Sequence, residues 1–169
     1  MNTITSRRIG LLQAMPIFGA IREELLQFLL ERSCPTRRDA GELFFHEHQE
    51  ASSMFVLESG RASVFKSWEG REVVLHELEA GDCFGEMALM DLCPRSASVR
   101  ADEACEAIEL TAAHLHALFE RDAEQFTLIQ MNIGREVCRR LRHADELLFR
   151  AQLGKAHDDA EPIYSAWAS

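Results

Sequence analysis

A glycine, a carboxylate and an arginine sit close together where they could hold an anion. They occur in Gly85-Glu86-Met87-Ala88-Leu89 and, a few residues later, in Pro94-Arg95-Ser96-Ala97. Gly85 has no Cβ, so backbone can approach a ligand closely there. A helix starting at Glu86 would aim its unpaired N–H groups outward, and these donors with the helix dipole attract negative charge. Arg95 is near enough in sequence to fold back over the same place, and a guanidinium grips a phosphate with two parallel hydrogen bonds. Ser96 adds a hydroxyl donor. Glu86 would repel a phosphate, but its carboxylate suits a sugar hydroxyl. One phosphate beside one free ribose hydroxyl describes a cyclic nucleotide.

The elements that must position these groups are legible from periodicity. Ile9 to Met15 reads as a short helix ended by Pro16, and Ile21, Leu25, Phe28 and Leu29 give one apolar face to a second helix over Ala20–Glu31. Between Thr36 and Leu110 the pattern shifts toward strands, with Gly41, Gly60, Gly70 and Gly81 at turn positions. Strands are expected at Leu43–Phe45, Met54–Leu57, Ala62–Phe65, Val73–Leu78, Ser96–Arg100 and Ala104–Leu110, with a hairpin turn at Trp68-Glu69-Gly70. Several short strands with regular turns imply a closed or double-sheet β-architecture. Thr111 is placed to cap a helix over Ala112–Phe119. A long helix follows over about Ala123–Gln152, with Phe126, Gln130, Ile133, Val137, Leu141, Ala144 and Leu148 in a heptad-like stripe.

The run Gly81-Asp82-Cys83-Phe84-Gly85-Glu86-Met87-Ala88-Leu89, then Pro94-Arg95-Ser96-Ala97-Ser98-Val99-Arg100-Ala101, resembles the phosphate-binding cassette of cyclic nucleotide-binding domains. That family includes the catabolite activator protein and the regulatory subunits of protein kinase A. Gly41-Glu42-Leu43-Phe44-Phe45, Met54-Phe55-Val56-Leu57-Glu58-Ser59-Gly60 and Val64 are similar to its repeated strand pattern, and the resemblance runs from about Ile9 to about Leu148. It implies an α+β fold: an eight-stranded β-roll of the double-stranded β-helix or jelly-roll type, flanked by N-terminal helices and a long C-terminal helix. The expected organisation is a flexible segment over residues 1–8 and a domain over 9–153, with a flexible tail over 154–169. Within the domain, 9–35 are helices, 36–110 the roll and 111–153 helices.

The resemblance also implies the ligand set. The phosphate would meet Gly85, Arg95 and Ser96, and Glu86 would accept from the ribose hydroxyl. Phe84, Met87, Ala88 and Ala97 complete the cassette, and Asp145 on the long helix is the candidate for the base. Asp145 could accept from guanine, as an acid on this helix does in cyclic GMP-gated channels. Ser96 occupies a position that supports cyclic GMP in some members, yet the catabolite activator protein binds cyclic AMP with a serine there. Both nucleotides stay open, and a cyclic dinucleotide is a third, less favoured, ligand. No cofactor or metal is expected.

Composition narrows the remaining classes. The chain has 169 residues, enough for one domain with a real core, and a formal charge of −10. That charge argues against a nucleic-acid surface or an anionic membrane, since both need clustered Lys and Arg. It does not exclude a small anion held by local donors. The five cysteines are odd in number and form no C-x-x-C pair, which fits free thiols in the cytoplasm. Arg7-Arg8 and the apolar residues after them loosely imitate a signal peptide, but Gln13 and Pro16 interrupt the run. Gly41, His46-x-His48, Glu58 and Gly60 resemble a cupin metal motif only in part, because serines stand at the expected glutamate position and no second motif follows.

About fifteen residues follow Gly154, too few for the helix-turn-helix of a transcription factor. The expectation is therefore a non-enzymatic sensor, dimeric through its long helix, that signals through an unidentified protein partner. The competing reading is an interaction module that keeps the fold without a ligand; a cupin-like metalloenzyme is a distant third.

Overall fold

Short apolar runs punctuated by glycines fold, between Cys34 and Thr111, into two four-stranded antiparallel sheets. The computed structural model describes residues 3–158, with side chains described for residues 6–153. One sheet has the order β1 (Cys34–Arg38), β8 (Cys105–Thr111), β3 (Ser53–Ser59), β6 (Cys83–Phe84). The other has the order β2 (Leu43–Phe45), β7 (Ser98–Ala101), β4 (Ala62–Trp68), β5 (Arg71–Leu78). Together they form the expected eight-stranded β-roll in an α+β chain. Its interior is filled by Phe44, Phe45, Phe55, Leu57, Leu78, Phe84 and Val99, drawn from both sheets.

The local chemistry explains each boundary. β4 and β5 meet through the two-residue turn Glu69-Gly70, where both residues have positive φ, as a primed hairpin turn requires. Along β3 five successive residues are buried, so this central strand is covered on both faces. Phe55 and Leu57 face the roll interior, and Met54 and Val56 alternate to the other face. A register shift between Leu43 and Phe45 marks a bulge in β2, which lets two adjacent rings, Phe44 and Phe45, both enter the core.

The helices differ from expectation at their starts. Helix α1 spans Thr3–Ala14, so residues expected to be loose before Ile9 are helical. Arg8 ties these turns to the roll: its Nε and Nη2 donate to the two carboxylate oxygens of Glu58 on β3, at 2.7 and 2.8 Å. A 3-10 turn over Pro16–Phe18 follows. Helix α2 spans Glu23–Arg32 rather than starting at Ala20, because Ala20 adopts a left-handed φ of 62° that no α-helix contains.

Two strands were not expected, β1 and β6, and β7 begins at Ser98 instead of Ser96. Helix α3 is the short segment Met87–Asp91, and α4 spans Ala112–Arg121. Thr111 caps α4 as expected, within a capping box in which the Thr111 N–H donates to Nδ1 of His114 and the His114 N–H donates to the Thr111 hydroxyl.

The last helix, α5, spans Ala123–Asp158, past the expected end at Gln152 and into the segment expected to be a flexible tail. Tyr164 and Trp167, considered as anchors, lie outside the described residues. The chain divides into two compact units, Met1–Ile133 and Gly134–Ser169. Within the first, α2 packs on α1 and α4, and the buried Asn132 donates from Nδ2 to the Ile17 carbonyl at 3.3 Å and the Gly19 carbonyl at 3.0 Å. In the second, α5 carries Glu136 between Arg139 and Arg140 and a Glu146–Arg150 pair, and exposes Leu141, Leu147, Leu148 and Phe149. Among the described residues no helix is long and apolar enough to cross a membrane.

Two outcomes follow from this packing. The Arg8–Glu58 pair is two-pronged and largely shielded, so Arg8→Ala should lower unfolding stability by about 1–2 kcal/mol in chemical denaturation. No change would mean that α1 contributes nothing through it. Cys83 and Cys105 are buried, and burial, with Glu103 and Asp102 nearby, pushes the Cys105 thiol up in pKa. Iodoacetamide should therefore label Cys34, Cys93 and Cys138 in the folded protein and spare Cys83 and Cys105 until denaturant is added.

Candidate functional site

Arg95 is placed by its backbone before its side chain does anything. Its N–H donates to the Gln49 carbonyl at 2.9 Å, and its own carbonyl accepts from the His48 N–H at 2.8 Å. The turn after β2 thus clamps the segment leading into β7, helped by the Glu47 N–H donating to the Ser98 hydroxyl at 2.8 Å. His46 and His48 are exposed residues of this turn, and His48 contributes its backbone. Glu58, the carboxylate of the cupin alternative, is held by Arg8. Among the described residues no group of three or more His, Cys, Asp or Glu side chains could hold a metal ion.

From that anchor the Arg95 side chain turns inward and is only 5% exposed. Nη1 donates to the Gly85 carbonyl at 2.8 Å, and Nη2 donates to the Ser53 hydroxyl at 3.3 Å. The guanidinium carbon lies 4.0 Å from the centre of the Phe45 ring and 5.9 Å from that of Phe55. Nε is buried with no hydrogen-bond partner. Burial pushes the Arg95 pKa below its ordinary value, and the carboxylates of Glu109 and Glu86 pull it back up. The side chain is a desolvated cation that keeps donor capacity in reserve.

Gly85 is fitted to this arginine. Its φ is +77°, and a Cβ there would lie 2.4 Å from Arg95 Nη1 and 3.2 Å from the Phe45 ring. Glu86 follows as the N-cap of α3 and is 1% exposed. Gly85, Glu86 and Arg95 are thus brought together. Ser96 is exposed beside them, its hydroxyl 4.0 Å from the sulfur of the exposed Met87. Ala88 and Ala97 are buried. Phe84 turns its ring into the core, stacked on Phe55 at 5.3 Å, so its side chain packs the roll. Asp145 is an exposed residue of α5 in the unit after Ile133.

Sequence reasoning missed Ser53 and Phe45 as neighbours of Arg95. Phe45 lies on an expected strand, whereas Ser53 falls just before the expected start of its strand at Met54 and carried no signal. Leu89 of α3 lines, with Leu115, His116, Phe119 and Phe126, an open apolar groove of about 310 Å³.

The sequence matches the family described as cyclic nucleotide-binding domain over residues 36–122, a little more than half of the chain. The chain belongs to the cyclic nucleotide-binding domain family. It is 29% identical over 135 residues to a cyclic AMP receptor protein of Thermus thermophilus, covering 79% of this chain and 61% of that protein. It is 46% identical over 102 residues to a cAMP-dependent protein kinase regulatory subunit of Hypocrea atroviridis, covering 59% of this chain and 21% of that one. The chain therefore spans less than two thirds of these relatives, which are receptor or regulatory proteins by name.

Among solved structures, the catabolite activator protein of Thermus thermophilus superposes with a TM-score of 0.72 at 29% identity, covering 83% of this chain and 65% of that one. A cyclic nucleotide-binding domain from Methylobacillus flagellatus shares the fold, with a TM-score of 0.76 at 18% identity, covering 87% of this chain and 84% of that one.

The tight fit at Gly85 gives a direct test. Gly85→Ala should cost about 1–2 kcal/mol of stability through the left-handed backbone alone. Its methyl group should also displace the Arg95 head group, visible as a changed Arg95 side-chain resonance. An unshifted resonance would contradict the contact.

Proposed function

We propose that this chain binds a cyclic nucleotide and acts as a regulatory domain. Arg95 carries the reading: a buried guanidinium with an unpartnered Nε, beside Gly85 and the enclosed carboxylate of Glu86. A cation that has lost its water gains more from an anion than a solvated one does, because the low local dielectric strengthens their attraction. Arg95 and the N–H groups after Gly85 supply the phosphate partners, with Ser96 at the rim. Glu86 supplies the acceptor for a ribose hydroxyl. The relatives named for cyclic AMP favour that nucleotide; Asp145 keeps cyclic GMP as the second ligand to test.

The output is read by a protein surface, with no catalytic step. Leu89 on α3 borders the groove with Phe119 of α4 and Phe126 of α5, which supports a mechanical link from the cassette to these helices. The exposed Leu141 and Leu148, in step with Ala144, support pairing of two copies through the second half of α5.

Isothermal titration with cyclic AMP and cyclic GMP tests the reading. At least one should bind with micromolar or tighter affinity, and Arg95→Ala should weaken it by about a hundredfold or more, given the loss of a buried charge-assisted pair. Silence with both nucleotides in folded wild-type protein would favour the ligand-free interaction module. Sedimentation of the same samples checks the second part: Leu141→Asp with Leu148→Asp should convert a dimer to a monomer.

A further inference from the structure

We propose that Phe45 and Ser53 are positioning residues that preset the Arg95 guanidinium for the anionic group of the ligand; this rests on the nucleotide-binding reading above. A guanidinium has five N–H donors in one plane. The Gly85 carbonyl and the Ser53 hydroxyl each take one, from Nη1 and Nη2. Two in-plane contacts on different nitrogens fix rotation about the axis perpendicular to the plane. The Phe45 ring, 4.0 Å away, fixes the tilt. An aromatic face stabilises a cation through its quadrupole without consuming an N–H. The head group is therefore restrained while Nε–H and a second proton on each Nη stay available for the ligand.

The restraint is itself restrained. Phe45 lies 5.9 Å from Phe55 and 6.0 Å from Phe84, so its ring cannot swing away from the arginine without disturbing two others. Ser53 is 6% exposed and opens β3 opposite Thr111, held by the sheet. The adjacent ring, Phe44, is equally buried in the same aromatic cluster, but the cation over it is Arg38, at 5.7 Å, whereas Arg95 lies over Phe45. Phe44 is thus an internal control for packing without positioning.

The experiment compares Phe45→Leu, Ser53→Ala and Phe44→Leu with wild type. It measures thermal melting, titration with cyclic AMP and cyclic GMP, and the Arg95 Nε–H signal in a nitrogen-edited NMR spectrum. Phe45→Leu and Phe44→Leu should melt at similarly lowered temperatures. Only Phe45→Leu should weaken binding, by about tenfold, and Ser53→Ala by about threefold. The Arg95 Nε–H signal, sharp and slowly exchanging in wild type, should broaden or vanish in Phe45→Leu and Ser53→Ala and persist in Phe44→Leu.

Equal affinity losses for the two phenylalanine variants, or none in Phe45→Leu and Ser53→Ala, would overturn the proposal while leaving nucleotide binding intact. If Phe45→Leu does not fold, Ser53→Ala decides the matter by the same two readouts. If wild type binds neither nucleotide, the functional reading fails, and with it the role of these residues toward a ligand; a persisting Nε–H pattern would then show only that they order the side chain.

Discussion

Burying the charge of Arg95 is the constraint that the rest of the roll accommodates. Desolvating a guanidinium costs several kcal/mol unless its surroundings restore part of the lost hydration. Here the restoration comes from a carbonyl, a hydroxyl, an aromatic face and two more distant carboxylates. None of these saturates the group, because Nε stays unpartnered. A fold selected for stability alone would do better with an apolar residue of similar volume at this position. The unsaturated, enclosed cation is the observation on which the proposed anion binding rests, and its neighbours are what keep it folded in.

This arrangement also resolves the charge paradox of the chain. A formal charge of −10 would repel a small anion over long distances in pure water. Salt screens that field beyond about 10 Å, whereas a contact inside a desolvated site is hardly screened. The field therefore acts against polyanionic surfaces, which need many exposed cations, and would hardly reach a guanidinium as enclosed as that of Arg95.

The fold was legible where burial leaves a pattern in the sequence and illegible where it does not. β3 and β8 carry apolar residues along their length and were expected in nearly the right place. The two unexpected strands are the edges of the same sheet. β1 is Cys-Pro-Thr-Arg-Arg, polar and partly exposed, and Pro35 has no N–H to give a neighbour. β6 has only two residues. Neither can show a period. The start of α1 is illegible for a related reason: its first turns are polar, and the Arg8–Glu58 contact joins residues far apart in sequence. At the site, the Gly85-Glu86 and Arg95 spacing was readable because Gly85 and Arg95 are only 10 residues apart. The Phe45 face was not, because it depends on a bulge that turns two successive rings the same way.

The position of Arg95 relative to the sheets gives the site its mechanical meaning. Its backbone belongs to the segment entering β7, in the sheet that also holds β2 and Phe45. Its side-chain partners, Gly85 after β6 and Ser53 on β3, belong to the opposite sheet. One side chain therefore bridges the seam between the two halves of the roll, and α3 is the chain connection across the same seam. Under the proposed function, an anion meeting the free Nε–H would pull on a guanidinium that stays tied to the Gly85 carbonyl, just before α3. Leu89 of that short helix borders the same apolar groove as residues of α4 and α5. A ligand can shift an equilibrium only by the difference in its affinity for the two states, so under the proposed function the restraint on Arg95 would bear on affinity and response alike.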